Sequence, residues 1–153
     1  MRKISVKLEI TDLQKFYPID KGKIKKLVTG VLKAEREEKN AELSVVFVDN
    51  KRIKEINRTF LGHNYATDVL SFHYHESSLK SNITGEIIIS VEMAAKLAQK
   101  HGYSIEGEVA LYLVHGLLHL LGYDDKQKGD AKKMHQREGE LLSNFGYSVP
   151  RPN

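Results

Sequence analysis

The sequence predicts an α+β fold, a single mixed β-sheet of about four strands with helices packed on it. Three observations predict it. Stretches of period two and of helical period run in the order strand, helix, strand, helix, strand, strand, then helices. Gly85 to Val91 carries an uninterrupted isoleucine run, which suits a strand buried on both faces. Val109 to Tyr123 is apolar on nearly every side, so one buried helix lies centrally on the sheet.

The elements follow in order. Ile4, Val6, Leu8 and Ile10 alternate with polar residues, which predicts a half-buried strand. Thr11 to Pro18 reads as a connection. Lys21 to Lys39 reads as a helix with an apolar stripe of Ile24, Leu27, Val28, Val31 and Leu32. The lysines and Arg36 on its other sides read as a solvated face. Glu42 to Val48 is rich in β-branched residues and predicts a second strand. Asp49 or Asn50 caps a short helix from Lys51 to Phe60. Gly62 to Thr67 is a loop, and Val69 to Tyr74 is a third strand. His75 to Asn82 is polar and serine-rich and reads as a mobile loop. Gly85 to Val91 is the fourth strand. Helices follow from Glu92 to His101, from Ser104 as N-cap, and from Lys128 to Phe145. The end, with Pro150 and Pro152, reads as a frayed tail.

The 153 residues suit one domain spanning 1–153. With 41% hydrophobic and 29% charged residues, the composition is that of a globular protein. No run approaches the ~20 apolar residues of a membrane helix, and the N-terminus has no signal-peptide core. The absence of cysteine excludes disulfide and thiolate chemistry and is compatible with a reducing compartment. Lys and Arg outnumber Asp and Glu by 24 to 20, a mild basic excess that permits nucleic-acid binding without requiring it.

The chemistry centres on His115-Gly-Leu-Leu-His119-Leu-Leu-Gly122-Tyr-Asp124-Asp125. Histidines four apart stand one helical turn from each other and can point at one metal ion. Gly122 suits a helix stop, after which Asp124 or Asp125 can offer a carboxylate. Two histidines and one carboxylate leave positions open on the ion, as in catalytic sites. The plainer alternative is a pair of hydrogen-bonded core histidines. The spacing matches the metalloprotease signature H-E-x-x-H, so the central helix has a metalloprotease-like setting. However, Gly116 stands where a peptidase has its glutamate base.

Other residues are candidates with plain alternatives. Arg58 ends a short helix before a loop and can fork onto a phosphate, or it is an ordinary surface arginine. Thr67, Asp68 and, at the strand start, Ser71 offer hydroxyls and an acid, and turn capping explains Thr67 and Asp68 equally well. His135 can supply a third imidazole if the last helix folds back over the motif. Lys126, Lys128, Lys132 and Lys133 make a basic rim that would attract a polyanion, or they are merely solvated. His63, His73, His75 and His101 show no partner spacing.

The motif resembles the signature H-G-x-L-H-L-x-G-Y-D-H of the YbeY family of bacterial rRNA maturation endoribonucleases. Asn57-Arg58, Thr67-Asp-Val-Leu-Ser-Phe72 and Gly85-Glu-Ile-Ile-Ile-Ser90 resemble that family's other blocks, in the same order. The resemblance implies a zinc-dependent endoribonuclease specific for single strands. It implies action in 3′-end maturation of small-subunit (16S) rRNA and in ribosome quality control. It further implies a cytoplasmic location, with the small ribosomal subunit and the GTPase Era as partners. By the same resemblance His115 and His119 are metal ligands, His115 and Arg58 are catalytic, and Arg58 holds the RNA phosphate.

Two positions depart from the family pattern. Asp125 replaces a histidine, and Glu86 stands where aspartate is usual, with no expected change of role. Asp125 is the leading third ligand, with Asp124 and His135 as alternates. An aspartate makes the site harder and shifts its preference from zinc towards manganese or iron. The sequence also admits two rival functions: another metal-dependent hydrolase such as a peptidase, which Gly116 opposes, and a non-enzymatic, metal-stabilised ribosome assembly factor.

Overall fold

A computed structural model describes residues 5–35, 40–74 and 82–148. Strand β1 (Val6–Asp12) is followed by helix α1 (Lys21–Ala34), β2 (Asn40–Val48), α2 (Asn50–Leu61), β3 (Val69–His73), β4 (Asn82–Ser90), α3 (Val91–His101), α4 (Ile105–Leu120) and α5 (Lys128–Asn144). The sheet order is β1-β2-β4-β3. β1 pairs parallel with β2, β2 pairs parallel with β4, and β3 is the antiparallel edge. This is the expected α+β architecture with one mixed sheet of four strands.

Alternation in the inner strands creates two cores. Val45, Phe47, Ile87 and Ile89 face α1, α3, α4 and α5. Val46, Val48, Leu70 and Ile88 face the other way and are covered by Ile53 and Ile56 of α2. β4 is therefore buried on both faces, as its isoleucine run predicts. Helix α4 packs against β3, β4, α1, α3 and α5, and eleven of its sixteen residues are buried. It is the central helix.

The helix starts behave as their residues predict. Asp49 accepts from the backbone N–H of Arg52 at 2.8 Å, and Ser104 Oγ accepts from Gly107 N at 2.9 Å. Several boundaries differ. Thr11 and Asp12 belong to β1 rather than to the following connection, because they pair with Val46 and Phe47. Asn82 to Thr84 belong to β4 despite their polarity, because they pair with Asn40 to Glu42. Sheet pairing satisfies backbone groups whatever the side chains are. Helix α1 reaches Ala34, with Glu35 as its C-cap. The expectations for Ile4, Arg36 to Lys39, the loop from His75 and the proline tail lie outside the described residues.

Candidate metal centre

The centre forms where α4 ends. His115 and His119 project from consecutive turns, with ring centroids 4.6 Å apart and planes at 83°. Their Nε2 atoms are 3.1 Å apart. Beyond α4, Gly122 adopts φ 101°, a conformation that favours glycine, and the chain turns back. The turn brings Asp125 Oδ2 to 3.5 Å from His119 Nε2 and 3.7 Å from His115 Nε2. Two ligand bonds of ~2.1 Å at a tetrahedral angle hold donor atoms about 3.4 Å apart. The three donors therefore stand at the separation one ion requires, and this His-His-Asp group could bind a metal ion.

The outward nitrogens are also held. His115 Nδ1 donates to Glu138, a carboxylate of α5 that is only 1% exposed. His119 Nδ1 donates to the carbonyl of Tyr123 at 3.2 Å. With a proton on each Nδ1, each Nε2 directs a lone pair to the common point, which is how metal-binding histidines are fixed. Tyr123 is itself anchored, since its hydroxyl donates to Glu35 at 2.8 Å and Arg137 also binds Glu35. Burial pushes the His115 pKa down. The hydrogen bond and charge of Glu138, with the charges of Asp68 and Asp125, outweigh it, and the net shift is upward.

The structure distinguishes the candidate third ligands. Asp125 joins the histidines. Asp124 accepts from the backbone N–H of Lys126 at 3.1 Å and caps the turn. His135 points its Nδ1 at Glu138, 3.2 Å away, with 58% of its side chain exposed. Arg58 makes no hydrogen bond or ion pair with the group. It is exposed on α2, the helix on the opposite face of the sheet. The four rim lysines are exposed. Ser71 donates to the carbonyl of Gly116 at 3.3 Å, tying β3 to α4, while Thr67 donates to Asp68 at 3.3 Å.

Gly116 has a packing reason. A Cβ there would lie 2.9 Å from Ile87 Cγ2 and 3.0 Å from Ser71 Oγ. The position that carries the base in H-E-x-x-H thus faces the sheet at contact distance and has no room for a glutamate.

Glu138 is the residue that reading the sequence missed. It shares the buried stripe of α5 with Met134, Leu141 and Leu142. An acid on an apolar stripe, three residues after a histidine, was the available signal.

The YbeY family model, described as Endoribonuclease YbeY, matches residues 9–146. The chain belongs to the YbeY family. Relatives named Endoribonuclease YbeY include one from Bacillus mycoides, 39% identical over 132 residues, covering 80% of this chain and 85% of the relative. Another, from Caldicellulosiruptor bescii, is 39% identical over 134 residues with the same coverage. A third, from Staphylococcus carnosus, is 39% identical over 129 residues, covering 80% and 84%. In fold, the chain is similar to a Thermotoga maritima protein solved in solution, with TM-score 0.59 and 22% identity, covering 95% of this chain and 99% of that one. No helix among the described residues is long and apolar enough to cross a membrane.

Proposed function

We propose that this YbeY-family chain is a metal-dependent endoribonuclease that cuts single-stranded RNA. The observation that carries the reading is the His115, His119 and Asp125 group with both Nδ1 atoms engaged. These three residues would hold the ion, with zinc as the metal of first choice and a harder metal admitted by Asp125. When bound, the ion supplies Lewis acidity towards a phosphoryl oxygen and lowers the pKa of water.

The chain's own groups do the rest. Glu138 and the Tyr123 carbonyl hold the imidazoles through Nδ1 and fix their orientation, so that both Nε2 atoms face the group. Asp125 brings a negative charge and is the most exposed of the three, so the group opens to solvent on its side. Arg58 and the lysines from Lys126 to Lys133 lie exposed and would offset phosphate charge along the RNA. The closed space at Gly116 argues against peptidase chemistry, because no base fits there.

The cellular role follows the family. We place the chain in 3′-end maturation of 16S rRNA and in ribosome quality control, in the cytoplasm, beside the small subunit and the GTPase Era. The test is cleavage of single-stranded and duplex RNA by the purified protein, with His115→Ala in parallel. Cutting of the single strand that disappears with chelator and in the variant is the expected result. Equal cutting by wild type and variant indicates a contaminant. No cutting by a metal-loaded wild type would overturn the reading and favour an assembly factor.

A further inference from the structure

We infer that the exposed aromatic corner of Phe60, His63 and Tyr65 is a stacking platform that receives bases of single-stranded RNA and leads the strand to the metal group. This rests on the RNA substrate proposed above.

The corner is aromatic, exposed and held by local contacts. Phe60 lies in the last turn of α2 with 69% of its surface exposed, and its ring meets Phe72 edge-on at 5.9 Å and 63°. Tyr65 is 56% exposed. Its ring stacks on His63 at 5.4 Å and 10°, and its hydroxyl lies 3.2 Å from His63 Nδ1. The loop is tied down from both sides. Buried Asn57 donates its amide to the carbonyl of Tyr65 at 3.0 Å, and His63 N donates to the carbonyl of Asn57 at 3.3 Å. Phe60 and Tyr65 are therefore held by local contacts while more than half of each remains exposed to water. Surface aromatics in a cluster of this kind mark an interaction site.

The surrounding charge selects the partner. Lys51, Arg52, Lys54 and Arg58 are exposed on the same helix against the single acid Glu55. None of the four cations pairs with another described residue. Exposed rings beside cations that pair with no other described residue match a strand that offers both bases and phosphates. A duplex hides its base faces inside the stack, so the platform accepts only strands whose bases are free to turn out.

The corner is also connected to the metal group. Three residues carry the chain from Tyr65 to Asp68, whose carboxylate accepts from Val69 N at the start of β3 at 2.8 Å. Phe72, the partner of Phe60, follows Ser71, whose hydroxyl reaches the Gly116 carbonyl next to His115. Phe72 and Ser71 point to opposite faces of β3, the edge strand, so the platform and α4 meet that strand from its two sides, and RNA would pass from one to the other around the edge.

The test uses the full chain, a labelled single-stranded RNA and chelator to prevent cutting, with Kd read by anisotropy. Phe60→Ala and Tyr65→Ala should each raise Kd at least about five-fold, the low end for loss of one stacked base. Phe60→Trp should keep the affinity. The chain has no tryptophan of its own, so the new indole emission, quenched on saturation with RNA, reports stacking directly. With metal restored, the alanine variants should raise KM for cleavage and leave kcat in place. A wild type that binds and cuts RNA, beside alanine variants that bind as well and an indole that ignores RNA, would overturn the platform alone and assign the corner to a protein partner. A wild type that neither binds nor cuts would overturn the platform together with the nuclease reading.

Discussion

Glu138 of α5 accepts a hydrogen bond from His115 Nδ1 of α4, from a position almost wholly shielded from water. A buried carboxylate is costly unless it is paired. Here it receives His115 on one oxygen and lies 3.2 Å from His135 on the other. The pair joins the last helix to α4 and leaves Nε2 of His115 facing His119 and Asp125.

Replacing that carboxylate isolates its role. Glu138→Gln keeps the volume and an acceptor oxygen but removes the charge that favours the metal-bound imidazole. Metal affinity should fall by about 10–100-fold while circular dichroism stays unchanged. Competition against a chromophoric chelator reads the change.

The third ligand is decided by comparing three variants. Asp125→Ala should lose the metal, leaving two histidines. Asp124→Ala should cost only a turn cap, and His135→Ala should keep the metal, since neither side chain enters the group. Metal content by mass spectrometry after loading with zinc, manganese or iron separates them. Full occupancy in Asp125→Ala would remove it from the set.

Helix α4 sits close to the sheet, and Gly116 sets the approach. Gly116→Ala should destabilise the protein by about 1–3 kcal/mol, the range for overpacking a filled core. The added methyl meets Ile87 and the hydroxyl of Ser71 at 3.0 Å or less. Urea unfolding measures this. The variant should also bind metal more weakly, because a shift of α4 moves both histidines.

Metal removal should be visible in heat stability. An ion present at about 100 times its Kd stabilises the folded state by ~2.7 kcal/mol. At this chain length that corresponds to roughly 5–10 °C in Tm. Chelator should lower Tm by that amount in the wild type and leave His119→Ala unaffected.

Local chemistry made much of the protein legible in advance. Asp49 and Ser104 marked their helices because a side-chain oxygen there meets an orphan backbone N–H whatever the rest of the chain does. The isoleucines of β4 declared burial on both faces. His115 and His119 announced a shared target because helix geometry alone sets their separation. Strand ends were less legible, since Asn82 to Thr84 are polar and extend β4 only because β2 lies alongside.

The sequence by itself determined the element types, the central helix, the two histidines and the likeness to the YbeY family, because each depends on residues a few positions apart. The tertiary structure alone decided the strand order β1-β2-β4-β3 and the partnership of Glu138 with His115. It also decided that Asp125 rather than Asp124 stands with the two histidines, and that Phe60 and Tyr65 stand in the open. These depend on how one helix rotates against another and how one turn closes. Such relations are set by packing across the whole core, and spacing along the chain carries no record of them.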